Sequence, residues 1–254
     1  MHITILGTGT STGVPQIGCN CPTCTSPDPR DKRLRCSALI EVGGRRILID
    51  CGPDFRQQML HTEFHRLDAV LITHEHYDHV GGLDDLRPYS IFGDVKIYSD
   101  KDCCNHLKQR IPYCFIEEDK RYPGVPALIL NVVQPHVPFS VEGVEIMPIR
   151  VMHGKLSILG FRIQNMAYIT DMKTIPAEEI SLLKGVDTLI LNALRHETHP
   201  THQTIEEAIA FARGLDCPTT YLIHMSHHIQ PHAEEEALLP EGFHFAYDFM
   251  EIDC

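Results

Sequence analysis

The stretch Thr73–Gly82 reads THEHYDHVGG and follows directly on the apolar run Ala69–Ile72. His74, His76, Asp78 and His79 fall within six positions, and two glycines close the segment. A loop at the end of a rigid strand is where functional side chains are held most often. His74 and His76 are two apart, so they point the same way if the backbone stays extended. Asp78 and His79 follow a turn and form a second pair. Gly81 and Gly82 let the chain bend tightly around whatever the pairs hold. Imidazole and carboxylate are good ligands for zinc, manganese or iron. A pair of metal ions explains the crowding, one taking His74 and His76, the other Asp78 and His79.

The same pattern recurs along the chain. The apolar run VEIMPIRVM ends at His153, MAYIT ends at Asp171, and TTYLI ends at His224. One such residue is ordinary, but three added to the cluster are not. His74, His76 and His153 then make one site, and Asp78, His79 and His224 a second. Asp171 is placed to bridge them. Two divalent ions roughly 3.5–4 Å apart are a known hydrolytic arrangement, which lowers the pKa of a shared water and stabilises charge building on substrate oxygens. Asp50, in ILIDCG, also stands behind a strand. It either orients a ligand imidazole or is a plain turn residue.

The chain has 254 residues, 43% of them hydrophobic and 22% charged, which is long and apolar enough for a sizeable core. A single domain spanning 1–254 is the simplest organisation, since neither a repeat nor a linker stands out. The net charge of −12 works against broad nucleic-acid binding. RDKRLR (Arg30–Arg35) is the main basic cluster. The opening MHITILGTGT lacks a signal peptide's basic start, and no apolar run approaches the roughly 20 residues of a membrane span, so a cytoplasmic address is expected.

In that reduced setting the ten cysteines read as core residues or metal ligands rather than disulfides. GCNCPTC brings Cys19, Cys21 and Cys24 together in a loop at about 17–26. Three thiols so close need one more ligand for a closed structural zinc site, and HMSHH offers His227 and His228.

Strands are expected at HITILGT, in the hairpin CSALIEVGGRRILIDCG, and at LDAVLITH, DVKIYSD, ALILNVV, VEIMPIRVMHG, LGFRIQ, MAYITD, VDTLILNAL and PTTYLIHMS. Helices are expected at DFRQQMLHTEF (with Phe55, Met59 and Leu60 at helical spacing), GGLDDLRPYSIF, KDCCNHLKQRI, PAEEISLLKG and TIEEAIAFARGL, the last capped by Thr204. The Pro-rich stretch from Pro112 to Pro138 is otherwise read as irregular. Two sheets covered by helices satisfy this order.

THEHYDH has the His-x-His-x-Asp-His form of the metallo-β-lactamase-fold hydrolases, which this chain resembles over nearly its whole length. The resemblance implies an α/β four-layer αββα sandwich with the metals at the sheet edges. The cysteine triplet and HMSHH narrow it to the subgroup of the carbon–phosphorus lyase pathway's phosphodiesterase, beside the tRNA 3′-processing endonucleases. There the triplet and a histidine near the last catalytic ligand hold the structural zinc, here Cys19, Cys21, Cys24 and His227.

Phosphodiester cleavage also needs a proton for the departing alkoxide. RHETHPTHQTIEEA offers His196, His199 and His202, and His202, just before QTIEEAIAFA, matches the subgroup's proton donor. A helix start disfavours a positive charge there, so the metals or a carboxylate such as Glu206 would retune it. The reading is a metal-dependent phosphodiesterase acting on a small, cyclic diester, with His202 and Asp78 in catalysis. Two divalent ions (manganese, zinc or iron) and one structural zinc are its cofactors. Alternatives are a tRNA 3′-processing nuclease, and a non-hydrolytic metal-binding protein of the pyrroloquinoline quinone biosynthesis type. The expected partner is a small phosphodiester, with no nucleic acid, no membrane, and a homodimer as the subgroup's common state.

Overall fold

A computed structural model of the chain describes residues 1–116, 120 and 122–254. Residues 117–119 and 121, inside the stretch expected to be irregular, lie outside the described residues. The order is β1 (His2–Gly7), α1 (Pro22–Thr25), β2 (Ser37–Val42), β3 (Arg45–Ile49), α2 (Phe55–Met59), β4 (Ala69–Leu71), α3 (Tyr77–Val80), β5 (Val95–Ser99), α4 (Lys101–Arg110) and β6 (Leu128–Val132). It continues through β7 (Phe139–Val141), β8 (Val144–His153), β9 (Leu156–Ile163), β10 (Met166–Ile169), α5 (Ala177–Ile180), β11 (Thr188–Asn192), α6 (Ile205–Gly214), β12 (Thr219–Ile223), α7 (His232–Glu236), β13 (Phe243–Phe245) and β14 (Met250–Asp253).

Two seven-stranded sheets result, ordered β14-β1-β2-β3-β4-β5-β6 and β13-β12-β11-β10-β9-β8-β7. The first is antiparallel from β14 to β3 and parallel from β3 to β6, and the second is parallel from β13 to β10 and antiparallel from β10 to β7. Strand alternation sets the layers. Ile47 and Ile49 enter the core between the sheets, together with Phe161, Tyr168 and Ile190 of the opposite sheet. Leu48, between them in sequence, packs outward with Phe55, Val80 and Leu107 of the first helical layer. On the far side, Leu189 and Leu191 pack with Ile205, Ala208 and Ala212 of α6. Three apolar clusters separating four layers make the expected αββα sandwich.

The hairpin Ser37–Val42/Arg45–Ile49 and the cap on α6 are as the residues predict. Thr204 accepts from Glu207 N while the Glu207 carboxylate accepts from Thr204 N, a full capping box. Leu83–Phe92 departs from expectation: it is a 3-10 helix with Pro88 inside it. Proline lacks the N–H and clashes with the carbonyl four residues back, which breaks or kinks an α-helix. α2 also stops early, at Met59, and Leu60 is left 68% exposed despite its helical spacing. β7, β13 and β14 and the short helices α1 and α7 had no pattern strong enough to predict. β14 pairs with β1 and brings the two ends of the chain together. No described helix is long and apolar enough to cross a membrane.

Candidate metal centre

The residues singled out behind strands converge at one edge of the sandwich. Asp50 and His74 follow β3 and β4 of the first sheet, while His153, Asp171 and His224 end or follow β8, β10 and β12 of the second. Asp50, Asp171 and His224 all have left-handed backbones, with φ of 59°, 57° and 61°. Non-glycine residues are held there only when the surroundings over-determine them. Gly52 and Gly82 seat the motif against β3's exit: a Cβ on Gly52 would lie 2.1 Å from the Asp78 carbonyl oxygen, and one on Gly82 2.1 Å from that of Gly52.

The His74 ring centroid lies 4.5 Å from that of His76 and 5.8 Å from that of His153, and His76 and His153 are 5.2 Å apart. His79 Nε2 lies 3.3 Å from Asp78 Oδ2 and 3.2 Å from Asp171 Oδ2. His224 Nε2 is 3.1 Å from Asp171 Oδ1. Asp78, His79, Asp171 and His224 each bring a ligand atom within 4.8 Å of the others, and so do His153, Asp171 and His202. Asp171 belongs to both groups, and the second holds His202 where His74 and His76 were expected.

The donor set fits divalent ions. Nε2 of His74, Nε2 of His79 and both ring nitrogens of His224 are buried without a hydrogen bond. Buried polar atoms are rarely left so. In His74, His79 and His153 the Nδ1 atom is tied down, which fixes the tautomer. His79 Nδ1 donates to Asp50 Oδ2 at 2.7 Å. His74 Nδ1 donates to Thr73 Oγ1 at 3.0 Å, and Thr73 Oγ1 donates to Asp50 Oδ2 at 2.9 Å. His153 Nδ1 donates to the Thr201 carbonyl at 3.0 Å. Ligating histidines are oriented in this way. Of the two readings open for Asp50, orienting an imidazole is the one its contacts match. Thr73 and Thr201 were not foreseen. Thr73 adjoins His74 in sequence, whereas Thr201 acts through its carbonyl, which side-chain identity cannot signal.

Electrostatics follow from the same crowding. Burial opposes charge on Asp171, but His224 and His79 outweigh it and hold the carboxyl well below its usual range. Burial likewise opposes charge on His79, and Asp171, Asp50 and Asp78 together raise its pKa well above the usual value. Burial and then His79 push His74 well below. The set thus attracts positive charge, and a metal cation answers it better than a proton.

His202 is 8% exposed, with its ring 4.6 Å from that of His153 and 4.8 Å from that of His224. Burial first, and then His224, lower its pKa to about 3, with Asp171 opposing. The carboxylate beside it is Asp171, whose Oδ1 is 3.7 Å from His202 Nδ1. Glu206, expected in that role, instead bonds His196 at 2.6 Å. His199 lies 5.0 Å from His202, and its Nδ1 accepts from Thr201 Oγ1 at 3.2 Å.

Cys19, Cys21, Cys24 and His227 form a second group with ligand atoms within 4.8 Å of one another. Cys19 Sγ and Cys21 Sγ lie 3.3 and 3.5 Å from His227 Nδ1. Cys21 is the N-cap of α1, which turns the chain so that Cys24 faces back. His228 is not in the group. All ten cysteines are free.

The sequence matches the β-lactamase superfamily domain over residues 45–225. A diphosphatase from the PhnP family is similar over 100% of this chain and 97% of its own, at 37% identity and a TM-score of 0.91. Zn(II)-bound PqqB from Methylobacterium extorquens is similar in fold over 100% of both chains, at 20% identity and a TM-score of 0.82. An octanoyltransferase of Porphyromonas gingivalis is 48% identical over 253 residues, which is 99% of this chain and 51% of that protein. The chain thus spans about half that relative's length. The protein belongs to the β-lactamase superfamily, with the metallo-β-lactamase fold and similarity to the PhnP family.

Proposed function

We propose that the protein is a metal-dependent phosphodiesterase acting on a small phosphodiester, with a cyclic sugar or nucleotide diester as the preferred class. The observation that carries this reading is the convergence of Asp78, His79, His153 and His224 on Asp171, with the His74 and His76 rings against His79 and His153 and with His202 beside them. Similarity to a PhnP-family diphosphatase supports it. A net charge of −12 favours a small substrate over a nucleic acid. His74, His76, His153, Asp78, His79, His224 and Asp171 would hold two divalent ions of zinc, manganese or iron. When bound, these supply Lewis acidity and an activated water.

The chain's own residues do the rest. Asp50 and Thr73 hold His79 and His74 with Nε2 free. Asp78 and Asp171 contribute the anionic oxygens. His202 delivers a proton to the leaving alkoxide. Burial favours its neutral form, and a phosphodiester anion against the ring would favour the imidazolium. A proton at its Nδ1 would be stabilised by Asp171 Oδ1, 3.7 Å away, leaving Nε2–H to face the leaving group. Cys19, Cys21, Cys24 and His227 would hold a structural zinc that staples the N-terminal loop to the segment behind His224. Turnover of bis(p-nitrophenyl) phosphate with manganese or zinc, abolished in His79→Ala, is the expected result. A wild-type protein carrying two ions per chain yet inert towards a panel of cyclic and linear phosphodiesters overturns it.

A second reading comes from the half-length match to the octanoyltransferase. Here the same site would hydrolyse an octanoyl ester or thioester. Assaying an octanoyl thioester beside the phosphodiesters separates the two, because only one class should approach a kcat/KM of about 10⁴ M⁻¹s⁻¹ or more.

A further inference from the structure

The loop carrying His199 and His202 is closed at its neck by two backbone bonds, Leu194 N to Gln203 O at 3.0 Å and Ile205 N to Arg195 O at 3.1 Å. Towards the metal centre it is anchored by the Thr201 carbonyl, which accepts from His153. On the outer side it has a different anchor. His196 Nδ1 lies 2.6 Å from Glu206 Oε1 on α6, and His196 Nε2 lies 3.1 Å from Glu235 Oε2 on α7. Both ring nitrogens therefore face carboxylate oxygens. A neutral imidazole has one N–H and would set a lone pair against one of the two carboxylates. The contacts are complete only for the imidazolium.

Glu235 is not a casual surface partner. Its side chain is 2% exposed, and its Oε1 also accepts from Gln230 N at 2.8 Å. Gln230 lies three residues beyond His227, so the clasp ties the His202 loop to the chain leaving the cysteine cluster. Without its second proton His196 keeps one N–H for the buried Glu235 but turns a lone pair on Glu206, which loosens the clasp at α6.

We infer that His196 is a positioning residue: as a cation clasped between Glu206 and Glu235, it holds the 195–204 loop so that His202 and the Thr201 carbonyl stay aligned with the metal centre. Burial works against its charge, but the hydrogen bonds to Glu206 and Glu235 prevail and raise its pKa. The charged groups around it are these two carboxylates and, on its own loop, Arg195, whose Nε sits 3.7 Å from Glu197. The clasp is intact below the pKa of an unperturbed histidine and is lost as pH rises through the raised value.

This inference rests on the hydrolase reading, and the test has one arm that needs no substrate. Amide hydrogen exchange over 195–204 is followed from pH 6 to 9 in the metal-loaded wild type, His196→Gln and His196→Arg, after correction for the intrinsic pH trend. Arginine keeps the charge and can reach both carboxylates. The wild-type loop should lose protection in the alkaline range, the Gln variant should lack it throughout, and the Arg variant should keep it throughout. In the second arm, kcat of the Gln variant should fall roughly tenfold with KM nearly unchanged, and the alkaline limb of the wild-type profile should vanish in the Arg variant. Glu235→Gln provides a second route if the position-196 variants fold poorly: it should move the wild-type limb to lower pH. Wild-type protection and kcat in His196→Gln, or an unchanged limb in Glu235→Gln, overturns the clasp. Absence of phosphodiester turnover in the wild type overturns the function proposed above and leaves the exchange arm to decide the clasp.

Discussion

Asp50 Oδ2 lies 2.7 Å from His79 Nδ1, with both side chains wholly buried. The same carboxylate accepts from Thr73 N at 2.9 Å and from the Thr73 hydroxyl, which in turn holds His74. One aspartate at the end of β3 thus aims two imidazoles that stand in different halves of the motif.

Asp50→Asn should therefore weaken divalent-ion binding by about 10–100-fold, because an amide cannot accept from both His79 and Thr73 with the same charge. Titration calorimetry with zinc or manganese on chelator-stripped protein reads this directly. Wild-type affinity in the variant would show that Asp50 merely ends the strand.

Cys21→Ser should remove one metal equivalent per chain while leaving the His/Asp centre loaded. Elemental analysis checks the count. Loss of the staple between the N-terminal loop and His227 should cost about 2 kcal/mol, lowering Tm by roughly 4–8 °C. An unchanged metal content would remove the structural zinc from the account.

His202→Ala tests proton delivery through its dependence on the leaving group. With an alkyl leaving group, kcat should fall about 10²–10⁴-fold. With p-nitrophenolate, which departs without a proton, the loss should be far smaller. Equal losses on both substrates would mean that His202 binds rather than protonates.

A second buried histidine sets a stability trend. His232 Nδ1 accepts from Arg33 Nη2 at 3.1 Å, and burial followed by Arg33 and Arg30 lowers its pKa to about 4. The folded state then binds fewer protons than the unfolded chain between about pH 4 and the ordinary value of about 6.5. The contribution is fully present above about 6.5 and is lost as pH falls through about 4, amounting to about 3 kcal/mol. His232→Gln, which keeps an acceptor for Arg33, should flatten this trend in urea titrations. Asp248, which burial raises to about 7, acts with the opposite sign but equally in both proteins, so the difference between them isolates His232. Parallel curves for the two proteins would refute the assignment.

The pattern of ligand-type residues was legible because strands impose period two and end abruptly. A polar ligand behind an apolar run stands out at His74, His153, Asp171 and His224. The cysteine triplet was legible for a similar reason, since three thiols within six residues stand out as a ligand-type cluster. What failed to show were features without a side-chain pattern. Pro88 converts a helical spacing into a 3-10 helix, and Leu60 at a core position faces solvent. β14, four residues long, exists because it pairs with β1. Glu206 was read as a partner of His202 from proximity in sequence, but one helical turn aims it at His196 instead.

Read alone, the amino-acid order showed two sheets covered by helices and two clusters of metal-ligand-type residues, while resemblance to a known family implied the αββα sandwich and the role of His202. The clusters and the sheets are carried by residue type and local spacing, which a one-dimensional string records. Tertiary structure decided which nitrogen of His74 and of His79 is free, that Asp50 serves His79, that His227, the histidine the resemblance implied, does meet the cysteines, and that His196 is locked between two carboxylates. Those depend on distances between segments up to about 200 positions apart, such as Cys19 and His227, and only packing sets such distances.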